Sequence, residues 1–135
     1  LLEALAERTL ALAEEDFAAM EQAPEGASAY YINSSTPDNS PFDRSLIALS
    51  RLAQSNNELA QQTMARVQDG WHALVLAEIG DEQIARAVLL LGDGMYYNAA
   101  FGGGATNPQT ADMLKSDRAA LERALKVLKA AVAAD

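Results

Sequence analysis

The sequence predicts an all-α domain, folded as an antiparallel bundle of about six helices. Apolar residues recur with the helical period along most of the chain, and glycine, proline or short polar segments separate the apolar stripes. An alternating strand pattern is not sustained. The chain has 135 residues, of which 50% are hydrophobic, so a core can form without disulfides or metal ions. We therefore expect one domain over residues 1–135.

The first three predicted elements are a long helix, a short segment and a second main helix. The first helix covers residues 1–22, and a proline and a glycine follow it. Residues 27–35 predict one or two helical turns, although the aromatic residues there also suit a strand. Ser40 is a preferred N-cap and Pro41 suits the first helical position, so the next helix begins there and runs to about Gln54.

The fourth predicted element is a helix over residues 56–79. Ser55 and Glu58 fit a capping box, which indicates where this helix begins. One face carries apolar residues in register, and Gly80 ends the helix because glycine readily adopts the left-handed conformation of a C-terminal cap.

The fifth predicted helix, residues 81–101, is apolar on most of its circumference. Asp81 caps it and the glycine triplet 102–104 ends it. The residues that mark its polar side are Gln83, Arg86 and Asp93. Such a helix needs partners on more than one side, so we expect it to pack in its own domain and against a second chain. An Asn-Pro pair opens the last helix, which covers residues 110–133.

Charge and composition exclude several classes of function. The net charge is −9, with 10 basic and 19 acidic residues, which argues against binding to phosphate backbones. The basic residues of the last helix alternate with acidic ones, as on a solvated helix face. Cysteine is absent, which excludes disulfides and thiolate chemistry. The apolar runs are too short to span a bilayer, so we expect no membrane partner. The absence of cysteine is compatible with a reducing compartment, and we expect a cytoplasmic location.

Candidates for metal binding and catalysis are few. His72 is the only histidine, and Asp69 could share its helix face, but a di-iron bundle needs two Glu-x-x-His elements and further carboxylates. We predict no metal site, no cofactor and, without a nucleophile motif, no catalytic residue. The Gly-Asp-Gly at 92–94 lacks the Lys-Ser/Thr of a phosphate loop. Close approach of another helix best explains these two glycines within a helix.

Large aromatic and apolar side chains recur on several of the predicted helices. They suit an ordinary core, and they equally suit the wall of a cavity for an apolar ligand, with Asn33 or Asn98 as a polar contact. The spacing alone leaves both interpretations open. The residues concerned are Phe17, Tyr30, Tyr31, Met64, Trp71 and Met95.

The segment 84–96, with Asp-Gly-Met at 93–95, resembles the C-terminal domain of tetracycline-repressor-like (TetR/AcrR) transcriptional regulators. In that family the helix before the last is often an Ala/Leu-rich run that ends in Asp-Gly and a large apolar residue. The resemblance implies an all-helical domain that binds small ligands in a bundle cavity and dimerises through its last two helices, here within residues 81–133. Residues 1–22 resemble the helix that links this domain to an N-terminal helix-turn-helix. That helix-turn-helix is lacking here, so we expect DNA as a partner only through a missing N-terminal domain.

The resemblance also implies a function, which is ligand sensing and dimerisation for a transcriptional repressor, without catalysis. We expect a homodimer and a small apolar or aromatic effector. A free-standing helical protein-interaction module is the alternative, and a small helical enzyme is a third possibility. The ligand-binding residues implied are Phe17, Tyr30, Tyr31, Asn33, Met64, Val67, Trp71, Met95 and Asn98. The dimer-interface residues implied are Leu89, Gly92, Tyr96, Leu121, Leu125 and Leu128.

Overall fold

The computed structural model describes residues 1–104 and 107–134, and the all-α prediction is confirmed there. These residues form helices and no strand, and the short segment after the first helix is itself helical. The helices are α1 (Leu2–Gln22), α2 (Ala27–Ser34), α3 (Pro41–Gln54), α4 (Glu58–Ile79), α5 (Glu82–Phe101) and α6 (Pro108–Ala134).

Local capping interactions set several of these helix ends, as the sequence predicts. The Ser40 hydroxyl accepts a hydrogen bond from the backbone N–H of Asp43 at 3.1 Å, which caps α3. The Asp81 carboxylate accepts one from the N–H of Ile84 at 3.0 Å, which caps α5. Gly80 ends α4 with a φ of 77°, in the left-handed region that favours glycine.

The predicted capping box at the start of α4 is wrong. Asn57 is the N-cap, and its side-chain oxygen accepts from the N–H of Ala60 at 2.9 Å. Ser55 instead ends α3, because its backbone N–H bonds to carbonyl groups in the last turn of that helix. Asn56 then adopts a left-handed φ of 64°, which turns the chain into α4.

The helix α4 lies at the centre of the bundle. It packs against α1, α2, α3 and α5, whereas α6 packs against α5 and α2. Its inward face carries buried apolar residues one or two turns apart, which is the pattern expected of a core helix. These residues are Ala60, Val67, Trp71 and Val75. None of the helices in the described ranges is long and apolar enough to cross a membrane.

Glycines allow close approach at two helix contacts. A Cβ at Gly70 would lie 2.2 Å from the ring of Phe17, so this glycine lets α1 lie against α4. A Cβ at Gly92 would lie 2.6 Å from the ring of Tyr31, which confirms the predicted close approach at this position of α5. At Gly94, which is exposed, no helix of the same chain makes this approach, because no atom lies within 4 Å of its Cβ position.

Candidate ligand-binding cavity

A cavity of about 370 Å³ lies among α1 to α5. Its volume falls within the range of roughly 300–1,000 Å³ that is usual for small-molecule sites. Every one of these five helices contributes side chains, together with the loop between α2 and α3. Exposed residues of the lining mark its opening to solvent, and these are Glu15, Ala19, Ser34 and Asp38.

Aromatic side chains form much of the cavity wall. All four tyrosines of the chain line it, together with its single tryptophan and Phe42. The rings of Tyr31 and Trp71 meet edge to face with their centroids 5.2 Å apart, and Phe42 lies 6.1 Å from Trp71. Tyr96 and Tyr97 meet edge to face at 5.2 Å. A planar ligand would therefore have ring edges and faces to pack against on several sides.

Asp16 joins three helices at one side of the cavity. Its carboxylate accepts a hydrogen bond from the Tyr30 hydroxyl at 2.8 Å and another from Trp71 Nε1 at 2.8 Å. Burial and this bond to Asp16 raise the pKa of Tyr30 to about 12, so the phenol keeps its proton at neutral pH. These bonds orient the rings of Tyr30 and Trp71 at the cavity wall. Both donors are uncharged, so neither offsets the charge of the carboxylate.

Asp93 of α5 also lines the cavity. It accepts hydrogen bonds from the Tyr31 hydroxyl and, at 3.1 Å, from Gln68 Nε2. Burial raises the pKa of Asp93 although these two bonds and the charge of Arg86 lower it. The amide oxygen of Gln68 is buried and has no hydrogen-bond partner among the described residues.

Asp43 holds a third aromatic wall at the first turn of α3. It accepts from the Tyr96 hydroxyl and, at 2.9 Å, from the backbone N–H of Asn39. Burial and this carboxylate raise the pKa of Tyr96. The hydroxyls of Tyr30, Tyr31 and Tyr96 thus each donate a hydrogen bond to an aspartate. Toward a ligand, these hydroxyl oxygens can therefore act as acceptors.

The structure brings only part of the predicted ligand-binding set to the cavity. The four that line it are Tyr30, Tyr31, Met64 and Trp71. Phe17 instead packs over Gly70, and Val67 is fully buried in the core. Met95 packs with Ala99 and Leu114 toward α6.

The two predicted polar contacts lie outside the cavity. Asn33 and Asn98 are both exposed, and the Asn98 amide contacts the Met113 sulfur at 3.8 Å. Neither residue lines the cavity, whereas Tyr31 and Tyr97, close to them in sequence, do. Aspartates on α1, α3 and α5 supply the polar contacts instead.

The residues predicted for a dimer interface mostly face their own bundle. Leu89, Gly92 and Leu125 are buried inside the chain, and Tyr96 lines the cavity. Leu121 and Leu128 are partly buried against the core. These residues are buried because the face of α5 that carries Leu89 packs against α2 and α4. A different apolar face of α5 is directed outward.

That outward face forms a shallow apolar groove with α6, which we call the α5–α6 groove. Its lining residues are Ala87, Leu90, Leu91, Arg123, Ala124, Val127 and Leu128. Leu90 is 53% exposed and Val127 is 62% exposed, which is unusual for large aliphatic side chains that belong to a core. Leu128 is the one predicted interface residue that also lines this groove.

Several polar residues of the cavity are not predicted from the sequence, and the clearest is Asp93. The sequence pattern places it on the polar side of its helix, yet it lies one turn after buried Leu89 and one turn before Tyr97, which lines the cavity. An acidic residue on an inward stripe was the available signal. Asp16 gives the same signal, since Leu12 one turn before it also lines the cavity.

His72 contributes no chemistry to this site. It lies on α4, and its Nε2 is 3.2 Å from a carboxylate oxygen of Glu82 at the start of α5. Among the described residues, no group of three or more His, Asp or Glu side chains is placed to hold a metal ion. The aspartates around the cavity are therefore spread over its walls and do not converge on one point.

Fold and cavity together define a class, an all-helical domain that encloses a ligand-sized cavity between its helices. More particularly, the chain belongs to the family described as tetracyclin repressor-like, C-terminal domain, whose family model matches residues 25–128. The predicted resemblance is thereby confirmed, and proteins of this family are regulatory. No curated protein and no solved structure matches the chain. The matched span begins after α1, so Asp16 lies outside it.

Proposed function

We propose that this chain is the ligand-sensing and dimerisation domain of a TetR-like transcriptional repressor. It acts in the cytoplasm without catalysis, and DNA is contacted by a part of the protein outside residues 1–135. The observation that carries this proposal is the aromatic-walled cavity among α1 to α5 in a domain of this family.

An aromatic small molecule suits the cavity as an effector. Trp71, Tyr31 and Phe42 already form a cluster of rings at its wall, and such clusters gain about 0.5–1.5 kcal/mol per aromatic pair beyond simple burial. Met64 beside them is an adaptable side chain that follows the outline of different ligands.

A second copy of this chain is the proposed occupant of the α5–α6 groove. Pairing two copies about a two-fold axis would form a four-helix bundle and cover Leu90 and Val127, the large exposed aliphatic residues of the groove. A stable interface of this kind buries at least roughly 1,200 Å² in total. Family membership supports this arrangement, because TetR-like domains are typically dimeric.

One helix connects the two proposed sites. Along α5, Asp93, Tyr96 and Tyr97 line the cavity, whereas Ala87 and Leu90 line the groove. A ligand that favours one position of α5 therefore favours one arrangement of the dimer, which is a population shift between two states. The cavity also includes Asp16 of α1, so the same ligand acts on the helix that we propose leads to the DNA-binding part.

A screen with a matched pair of variants tests the ligand-sensing role. Aromatic compounds that enter the cavity should raise the melting temperature of the chain by mass action and change the emission of Trp71. Ala19→Phe places a ring at the cavity opening and should abolish these shifts. Ala18→Phe makes the same change at the neighbouring exposed residue, which does not line the cavity, and should retain them. Compounds that still bind the Ala19→Phe variant with full affinity would contradict the proposed site.

A further inference from the structure

We infer that the cavity selects an aromatic organic cation with N–H donors, such as an amidinium or a protonated amine. This inference rests on the proposed ligand-sensing function and deepens it, because it assigns the charge of the effector. The sequence alone predicts an apolar or aromatic molecule, because the placement of the aspartates around the cavity depends on the tertiary structure.

The cavity lining is acidic and has no counterbalancing cation. Five carboxylate side chains line it, and within residues 1–104 and 107–134 no lysine, arginine or histidine does. Arg86 lowers the pKa of Asp93 by its charge but is not part of the lining. The carboxylates are those of Glu15, Asp16, Asp38, Asp43 and Asp93.

The donors that serve the half-buried Asp16 and Asp93 are uncharged. Asp16 accepts from a phenol and an indole, and Asp93 from a phenol and an amide. Glu78, outside the cavity, shows the contrasting arrangement, because Lys129 pairs with it at 2.5 Å. Carboxylates that are partly removed from water in proteins are ordinarily paired with a cation, and the described residues of the cavity lining include none.

The remaining polar groups of the cavity also call for a donor. The aspartates occupy the hydroxyl protons of Tyr30, Tyr31 and Tyr96, which leaves acceptor lone pairs on those oxygens. The buried amide oxygen of Gln68, next to Asp93, lacks a hydrogen-bond partner among the described residues. A ligand with N–H groups would satisfy these acceptors, whereas a ligand rich in acceptors would not.

The aromatic walls favour positive charge as well. Cations are attracted to the faces of tryptophan, tyrosine and phenylalanine, with a gain of about 0.5–2 kcal/mol. The carboxylates are dispersed and do not converge as metal ligands do within the described residues, so an extended organic cation fits better than a metal ion. Burial together with nearby carboxylates raises the pKa values of Tyr31, Tyr96 and Tyr97, and the contribution of the carboxylates agrees with a negative potential at these walls.

Three probes of the same shape and different charge test this inference. They are biphenyl-4-carboxamidine, which is cationic at neutral pH, biphenyl-4-carboxamide, which is neutral, and biphenyl-4-carboxylate, which is anionic. Isothermal titration calorimetry on the whole chain measures each dissociation constant. We expect the amidine to bind about tenfold more tightly than the amide. Only the amidine carries the positive charge that is attracted to the aromatic faces and to the carboxylates of the cavity. The carboxylate should bind most weakly.

A matched pair of variants locates the charge that is recognised. Asp93→Asn should weaken amidine binding about three- to tenfold and leave amide binding unchanged. Asp69→Asn makes the same change in net charge at an exposed residue of α4 that does not line the cavity, and should have no effect. Circular dichroism checks that each variant is folded. If Asp93→Asn does not fold, Asp38→Asn at the exposed rim replaces it, with the same expectation.

The outcomes separate this inference from the proposed function. Equal affinity for the amidine and the amide would overturn the inference while still supporting a ligand-binding cavity. Equal effects of the Asp93 and Asp69 substitutions would overturn it in the same way. If none of the three probes binds at millimolar concentration, the inference and the proposed aromatic effector are both contradicted.

Discussion

Trp71 Nε1 donates a hydrogen bond to Asp16 Oδ2 over 2.8 Å, and this bond joins α4 to α1 at the wall of the cavity. The two residues are 55 positions apart in the sequence. The same carboxylate accepts from Tyr30 of α2, so one side chain holds three helices together. A ligand that strengthens or displaces this contact acts directly on α1.

The bond between Trp71 and Asp16 should appear as a coupling energy in a double-mutant cycle. Trp71→Phe removes the indole donor and keeps an aromatic ring, and Asp16→Ala removes the acceptor. We expect a coupling of about 1.5–3 kcal/mol in the free energy of unfolding, because a hydrogen bond to a charged group contributes about this much. Urea unfolding of the wild type, the two single variants and the double variant measures it. Additive effects within about 0.3 kcal/mol would show that the bond contributes nothing.

Alanine substitutions at two glycines of α5 should change the stability of the fold in opposite directions. At Gly92 a Cβ would lie 2.6 Å from the Tyr31 ring and 2.8 Å from the Ser35 hydroxyl, so the neighbours must shift. We expect Gly92→Ala to destabilise the fold by about 1–3 kcal/mol, as overpacked cores do. Gly94 is exposed in the single chain with no atom near its Cβ position, but it lies one turn after Leu90 of the proposed dimer interface. In the background of Leu90→Glu, a substitution that should separate the dimer, Gly94→Ala should therefore stabilise by about 1 kcal/mol through helix propensity. The same sign for both substitutions in thermal unfolding would contradict this close packing of α2 on α5.

The α5–α6 groove should control the oligomeric state. The wild-type chain should sediment as a dimer at tens of micromolar, and Leu90→Glu should give a monomer, because a charge would then enter the apolar interface. Leu52→Glu is the matched control, since Leu52 is 37% exposed on α3 and lies outside the groove. Analytical ultracentrifugation measures the masses, and circular dichroism should show unchanged helix content. A monomeric wild type would rule out the second copy as the occupant of the groove.

Asp93 should make the fold less stable as the pH rises. Burial raises its folded-state pKa above the ordinary value of 3.8, so the folded chain holds this proton more tightly than the unfolded chain does. Ionisation therefore costs stability between pH 3.8 and the raised pKa. Relative to the wild type, Asp93→Asn should become more stable across this window, as measured by urea unfolding at a series of pH values. A difference in the free energy of unfolding that does not change with pH would contradict a raised pKa for Asp93.

Glu78 should show the opposite dependence on pH. Burial acts to raise its pKa, but the ion pair with Lys129 and the hydrogen bonds from Ser28 outweigh burial and lower it below 4.5. Its contribution to stability is present above pH 4.5 and is lost as the pH falls through the lowered pKa. At neutral pH, Glu78→Gln should therefore have a lower free energy of unfolding than the wild type. This difference should shrink as the pH falls. The same urea series detects this, and a disadvantage that stays constant to the lowest pH would argue against the ion pair.

Which side of α5 faces inward could not be predicted from the sequence. The helix is apolar nearly all round, so Leu89 and Leu90 are equivalent in hydrophobicity, yet one is fully buried and the other is 53% exposed. The contacts with α2, α4 and α6 decide between them. The same contacts turn Asp93 inward, which converts a residue of the predicted polar side into part of the cavity.

The sequence by itself determined the helical class, the family and several helix ends, because these depend on residues close together in the chain. Ser40, Asp81 and Gly80 act through neighbours within a few positions, so their effects can be recognised locally. The tertiary structure alone decided which side chains share the cavity, because its wall is assembled from five helices. Asp16 and Trp71 meet only after α1 has packed against α4, and no local pattern records that contact.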